Sequence, residues 1–553
     1  MNYRTDPVAG WWLPDEKIPE TEPEIENGVL KKSIFAVNRP VMVVVKDGRL
    51  AVTRGGYIML GGDTSPKTDA LPLMAYVPPL HPRQLGNADF RRRYGLDYAY
   101  VVGAMANGIT SVEMVEAVGK AGMLGFFGAA GLSIEAIETA VDQLQRRLPD
   151  GRFGVNLIHS PSEPDHEAAT VALFLRKGVR LISASAFLGL TLPLLHYRIK
   201  GIHRDENGNV VCPNRLVAKV SRVEVAEKFL SPPPAKLVAK LVAERKISPE
   251  EAELARLVPV ADSLTAEADS GGHTDNRPAL ALLPTLIAVR DHMVEKYVYQ
   301  HPIHVGLGGG IATPASTAAA FAMGAAFVLT GSINQACLEA GTSKKVRGML
   351  AEARQADVAM APAADMFEMG VKVQVLKRGT MFAQRAARLY ELYVRHDRYE
   401  DIPAEQRALL EKDYFRCSFQ AAWEQTRAFF SRRDPRQNIR AEKDPKHKMA
   451  LVFRSYLGQS SGWAVTGDPT RVIDYQIWCG PAMGAFNEWT RGTFLERSEQ
   501  RDTLTVALNL MLGASIITRV NWLRNQGVDV PQTLAKYTPL PLSELFEKLD
   551  QRF

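Results

Sequence analysis

Eight short apolar, β-branched runs, separated by stretches of helical periodicity, restrict the fold more than any other feature of these 553 residues. The runs are Tyr98 to Gly103, Leu124 to Phe127, Phe153 to Leu157, Val179 to Ser183, Arg215 to Val220, Ser263 to Glu267, His301 to Leu307 and Ala325 to Thr330. Helical patterns lie between most of them, as in Ser111 to Lys120, Ile134 to Leu148, Asp165 to Lys177 and Leu280 to Val294. Strand, crossover helix and next strand make a parallel sheet. Repeated eight times, the unit predicts an α/β protein built on a closed (β/α)8 TIM barrel.

Chemistry in such a barrel collects where strands end at their C-terminal side. The first run ends in Gly103-Ala104-Met105, the third contains Asn156, and the fifth contains Lys219. The sixth leads into Asp269-Ser270-Gly271-Gly272-His273-Thr274-Asp275. Gly271 and Gly272 lack a Cβ, so the backbone can turn sharply and let a flat or phosphorylated group lie against it. His273 would stand beside that group, with a side chain able to exchange a proton near neutral pH. A solvated surface turn is the alternative for His273, a loop cap for Asn156 and a solvated strand end for Lys219.

The seventh run leads into Gly308-Gly309-Gly310 ahead of an alanine-rich helix from Pro314 to Met323, and the eighth ends in Thr330-Gly331-Ser332. Exposed N–H groups at a strand-to-helix junction cradle phosphate. In a barrel the loops after strands seven and eight are the usual place for one. The spacing departs from the G-x-G-x-x-G dinucleotide fingerprint and lacks its downstream acid. A mononucleotide such as FMN fits better than a Rossmann-bound NAD.

These segments resemble the 2-nitropropane dioxygenase and flavin-dependent enoyl-ACP reductase superfamily. The residues carrying the resemblance are Gly103 to Ala106, Gly154-Val155-Asn156, Asp269 to Asp275, Gly308 to Ile311 and Thr330 to Ser332. Met369 to Thr380 and Trp478-Cys479-Gly480-Pro481-Ala482-Met483-Gly484 are similar to the narrower PfaD family alone, the trans-acting enoyl reductases of polyunsaturated fatty-acid and trans-acyltransferase polyketide synthases. The resemblance implies that FMN, reduced by NADPH, reduces the 2,3 double bond of enoyl thioesters on acyl carrier protein. It gives His273 the role of proton donor or carbonyl polariser and Lys219 the flavin N1–O2 edge. Asn156 and the backbone of Gly103, Ala104 and Met105 would bond the isoalloxazine, near Gly271 and Gly272. Gly309, Gly310, Gly331 and Ser332 would hold the phosphate, with Gly308 and Thr330 in the same clusters. The family also implies a homodimer joined through C-terminal helices. A nitronate-oxidising flavoenzyme and a non-catalytic docking subunit of a synthase are the competing readings; no Gly-x-Ser-x-Gly elbow supports an acyltransferase.

The barrel is expected over residues 90–380, after an N-terminal β-rich cap at 1–89 and before a C-terminal helical region at 381–553. In the cap, Pro40 to Val45 and Arg49 to Thr53 flank Asp47-Gly48, a hairpin signal. At about 228–260, Ser231-Pro232-Pro233-Pro234 introduces helices Ala235 to Arg245 and Pro249 to Leu257, expected as a lid over the barrel mouth. Further helices are expected at Gln384 to Val394, Ala404 to Tyr414, Ala421 to Arg432 and Thr503 to Arg524.

Four scattered cysteines fit neither a disulfide framework nor a zinc site. His301 and His304 would face opposite sides of a strand, so no metal site is expected there. Met1 to Pro7 lacks the apolar core of a signal peptide, and no run is read as long enough to span a membrane, which together point to the cytoplasm. The net charge of +6 gathers in clusters at Arg91 to Arg93, Lys344 to Arg347, Lys372 with Lys377 and Arg378, and Arg432 through Lys448. Such a cluster can steer an acidic carrier protein or simply be a solvated face. No nucleic-acid-binding module is present.

Overall fold

The computed structural model describes residues 9–15, 22–25, 27–61, 67–159, 161 and 163–549, so the Met1 to Pro7 segment read for a leader lies outside the described residues. Its centre is a closed barrel of eight parallel strands: Tyr100–Val102, Leu124–Phe127, Phe153–Ile158, Leu181–Ser185, Arg215–Val220, Ser263–Glu267, His304–Gly308 and Val328–Thr330. The last strand pairs back onto the first, Val328 opposite Tyr100 and Thr330 opposite Val102. All eight expected runs are there. The seventh begins later than expected, after Pro302, whose missing N–H cannot join a ladder. At its start His304 is 2% exposed, and burial pushes its pKa down to about 4. It is a neutral core histidine set edge-on to Phe90, and among the described residues no group of three or more His, Cys, Asp and Glu could hold a metal.

The barrel lacks a local eighth helix. After the eighth strand the chain makes only the four-residue helix Ser332–Gln335 and leaves. The slot is filled from far downstream by Thr503–Asn525, which packs along Pro314–Ala322 and beside Val112–Lys120. This helix touches protein on nearly every side, so its sequence is apolar all round. It is long and apolar enough to cross a membrane, correcting the expectation that no run reaches that length; yet 83% of its most apolar window is buried inside the chain. It is a core helix, so its body is not available for the expected contact between subunits.

Its outer side carries the N-terminal layer, a five-stranded antiparallel sheet ordered Arg49–Thr53, Val41–Lys46, Leu71–Val77, Gly10–Leu13, Tyr57–Leu60. Asp47 and Gly48, with φ of 53° and 69°, make the tight hairpin turn that the sequence signals. Arg519 fastens the layer to the barrel: fully buried, it donates to the carbonyls of Val37 at 3.2 Å, Ser33 at 3.1 Å and Arg39 at 2.9 Å. Burial lowers its pKa to about 10, which leaves it a cation at neutral pH.

The insertion after Ser231 is not a lid. It follows the helix Val223–Leu230 rather than a strand, so the chain has already returned to the bottom of the barrel when it begins. Its helices Ala235–Ala243 and Pro249–Ala255 pack on Leu192–Ile199, and Glu251 Oε1 accepts the Gly201 N–H at 2.6 Å. The mouth is covered instead by the hairpin Val358–Pro362/Lys372–Leu376 and by helices Phe419–Arg433, Pro435–Lys443 and Pro445–Thr466. Arg433 pairs with Glu163 beyond the third strand at 2.6 and 2.8 Å, and Asn107 Nδ2 beyond the first donates to Ser461 at 2.7 Å. The helix expected at Ala404 to Tyr414 is α-helical to Leu409 and then widens into a π-turn over Leu410–Phe415.

Arg519→Met strands buried carbonyls and is expected to lower the unfolding free energy by about 3 kcal/mol, read as a fall in the urea midpoint. A loss below about 1 kcal/mol would show that those carbonyls find other donors.

Candidate active site

Four strands end side by side at one rim, with Glu267 in register with Gly308, Gly308 with Leu329, and Thr330 with Val102. The loops after strands six, seven, eight and one are therefore neighbours. The sixth-strand loop is tied down. Gly272–His273 forms a two-residue strand pairing antiparallel with Val373–Gln374 of the covering hairpin. Gln374, nearly buried, donates from Nε2 to Asp269 Oδ1 and to the Ser270 carbonyl, each at 2.8 Å. At the far end Asp275 accepts from Arg222 Nε and Nη2 at 2.8 Å and from the Ser221 hydroxyl at 2.6 Å. The Arg222 hydrogen bond does most to lower the Asp275 pKa, to about 2.

This frame presents His273, whose Nε2 lies 3.2 Å from Asp365 Oδ1 with both side chains about a third exposed. Burial is the largest influence and opposes the imidazolium. The hydrogen bond and charge of Asp365, helped by Glu267 and opposed by Lys219, outweigh it, so the His273 pKa stands above its ordinary 6.5. Burial likewise opposes ionisation of Asp365, but His273 more than offsets that and holds the carboxyl below its usual range. Lys219, next to the last residue of the fifth strand, pairs with Glu267 at 2.5 Å, their side chains 16% and 17% exposed. The cation expected at a ligand edge is thus shared with a carboxylate.

The site glycines divide by what a methyl group would meet. At Gly103 it would lie 2.6 Å from Leu329, at Gly308 3.1 Å from Thr265, at Gly309 2.7 Å from the Ala268 backbone and at Gly271 2.9 Å from Cys479. These positions serve the chain's own packing. Gly271 in particular is not bare backbone awaiting a ligand, because Cys479-Gly480 already lies on it. Gly272 adopts φ +81°, a glycine conformation, with only the Trp478 ring near. At Gly310 and Gly331 the methyl would meet nothing within 4 Å. Those two, on adjacent loops, leave open space beside exposed backbone at the rim.

Polar groups divide in the same way. The Gly103 N–H donates to the Thr330 carbonyl at 2.8 Å, and Thr110 Oγ1 accepts from the Met105 N–H at 2.9 Å while donating to the Gly103 carbonyl at 2.8 Å. Of the three residues expected to bond a ring, only the Ala104 N–H has no partner among the described residues. Asn156 Oδ1 accepts the Ala130 N–H at 3.1 Å, the loop-capping role. The buried Thr330 hydroxyl donates to Tyr100 and accepts from Asn334, which commits it to the fold. Ser332 Oγ accepts the Gly480 N–H at 3.1 Å. Ser270 Oγ, in the histidine loop, is buried without a partner among the described residues.

Asp365, Glu267, Gln374 and Thr110 escape the sequence reading, as does the pair His159–Glu167 at the end of strand three, 3.0 Å apart. Met369 to Thr380 and Trp478 to Gly484 do contain Gln374 and the Cys479-Gly480 contact, but neither motif spells out a chemistry.

Residues 96–393 match the nitronate monooxygenase family, over half of the chain, which therefore belongs to that family. A second match, residues 396–475, is to the inserted helical domain of acyl-carrier-protein S-malonyltransferase. Within the family the chain lies in the PfaD-like enoyl-reductase branch. Its structure resembles the enoyl reductase domain of MlnA from the macrolactin cluster of Bacillus amyloliquefaciens, with TM-score 0.76 and 39% identity over 80% of this chain and 99% of that one. It is 46% identical to polyketide biosynthesis protein PksE of Bacillus subtilis over 78% of this chain and 56% of that protein. It is 47% identical to a polyunsaturated fatty acid synthase component of Thraustochytrium sp. over 80% of this chain and 30% of that protein. The chain thus spans about a third to a half of these two curated relatives.

His273 is expected to titrate above 6.5 in a histidine NMR titration. Asp365→Asn removes the main upward influence and leaves burial's downward pull, so the titration moves to lower pH; an unmoved midpoint would sever the pair. By linkage, the raised pKa stabilises the fold fully below the unfolded value and the benefit disappears as pH climbs through the folded value.

Proposed function

We propose that the chain is an FMN- and NADPH-dependent enoyl reductase that saturates the 2,3 double bond of acyl thioesters held on a carrier protein. The carrying observation is the His273–Asp365 pair, held at the mouth of a barrel 39% identical to an enoyl reductase domain. The open backbone at Gly310 and Gly331, the Ala104 N–H and the orphaned Ser270 hydroxyl fit a flavin mononucleotide. Bound there, FMN reduced by NADPH would supply hydride for the β-carbon of the substrate.

The protein's own part is acid catalysis and orientation. Reduction at the β-carbon leaves negative charge on the α-carbon and thioester oxygen, and a positioned imidazolium can donate a proton to the one or a hydrogen bond to the other. Asp365, through its hydrogen bond and charge, raises the His273 pKa and so favours that protonated form. A carboxylate-paired imidazole would equally suit a base that starts oxidation of a carbon acid, so the preference for reduction rests on the likeness to the enoyl reductase domain. Lys219 and Glu267 place a neutral-sum pair at the rim, orienting substrate without a net charge to trap it. A carrier-borne substrate is supported by two features: the relatives are synthase components, and residues 396–475 resemble a domain of an enzyme named for acyl-carrier-protein.

In anaerobic stopped-flow, His273→Ala is expected to retain flavin and its reduction by NADPH but to slow reoxidation by crotonyl thioester by about 100-fold, the scale of a general acid. Reoxidation at the wild-type rate would overturn the assignment. Gly331→Ala puts a methyl into the open cradle and is expected to weaken FMN binding by about tenfold, or about 1.4 kcal/mol, with unchanged circular dichroism. Unaltered flavin affinity would place the phosphate elsewhere.

A further inference from the structure

Most of the chain's excess positive charge sits on one short segment. Residues 427–448 carry eight lysines and arginines against Asp434, Glu442 and Asp444, while the whole chain has a net charge of only +6. The structure turns this segment into a face. On the helix Pro435–Lys443, Arg436, Ile439, Arg440 and Lys443 recur at helical spacing and are all exposed. On the neighbouring helix Phe419–Arg433, Phe429 and Arg432 are exposed too. Phe429 is 49% and Ile439 57% exposed, so two large apolar side chains stand among cations. Asn438 Nδ2 donates to the Arg427 carbonyl and the Ser431 hydroxyl, each at 3.0 Å, fixing the helices against each other.

The face adjoins the mouth. Arg433 and Arg436 pair with Glu163 and Asp165, in and beside the loop leaving the third barrel strand at its catalytic end. Arg427, Arg432 and Lys443 have no ion-pair partner among the described residues, so their charge is directed outward. Apolar anchors with a charged rim are the anatomy of a specific but transient interface.

We propose that the face built from Phe429, Arg432, Ile439, Arg440 and Lys443 docks the acidic carrier domain that delivers the enoyl thioester. This rests on the carrier-bound substrate proposed above and adds where the carrier lands. Complementary charge raises the encounter rate and orients the arriving domain, while Phe429 and Ile439 give the docked pose an apolar contact. The carrier then sits beside the mouth, and its flexible prosthetic arm can reach inward to His273.

The test compares two substrates with the full-length FMN-loaded enzyme: crotonyl-loaded acyl carrier protein and free crotonyl-pantetheine. For R432E/R440E/K443E we expect KM for the loaded carrier to rise by about tenfold or more with kcat unchanged, kinetics on crotonyl-pantetheine to stay as in wild type, and the rate enhancement at low salt to vanish. K344E/K345E, on another basic cluster, should behave as wild type. F429A should raise KM for the loaded carrier alone. Wild-type kinetics of the triple variant on the loaded carrier, or an equal loss on both substrates, would overturn the docking site. Failure of the unmodified enzyme to reduce either substrate would instead overturn the enoyl reductase reading itself.

Discussion

A parallel barrel cannot leave the flank of one strand pair open to water, and here the covering helix comes from near the end of the described chain. Everything between Gln335 and Thr503 is in consequence an excursion that must leave the rim and return to it. The excursion uses that position. Its hairpin supplies Asp365 and Gln374, the loop ahead of helix Ala482–Thr490 supplies Cys479 and Gly480, and its helices lie over the mouth. The histidine loop owes its shape to these later segments more than to its own residues.

This explains what the sequence does and does not disclose. The strands are legible because β-branched runs with turn residues at their ends carry a local signal. The rim is legible through its glycines and its histidine. Asp365 carries no such signal: it sits in Pro362-Ala363-Ala364-Asp365, an unremarkable turn, and becomes meaningful only when the hairpin folds back on Gly272. Gly271 misleads for the same reason, since the sequence reveals a missing Cβ without revealing what takes its place. The misplaced lid is different, because the information was there. An insertion after a strand lands at the mouth and one after a helix lands at the bottom, so the position of Val223 to Leu230 decides it.

The two kinds of glycine also show how the barrel rim combines a fixed frame with open backbone. Gly103, Gly308 and Gly309 bring backbones of adjacent strands and loops into contact, and Gly310 and Gly331 remain open next to them. Packing fixes the frame, and the open positions stand on it without bearing any of that packing.

One consequence concerns the order of synthesis. A ribosome releases the last barrel strand well before the helix that seals it, so a nascent chain exposes the apolar flank of Pro314–Ala322 throughout the making of the excursion. Topology thereby sets the timing of closure: a chain cut short anywhere before Thr503 lacks the helix that covers Pro314–Ala322 and keeps an unsealed apolar seam.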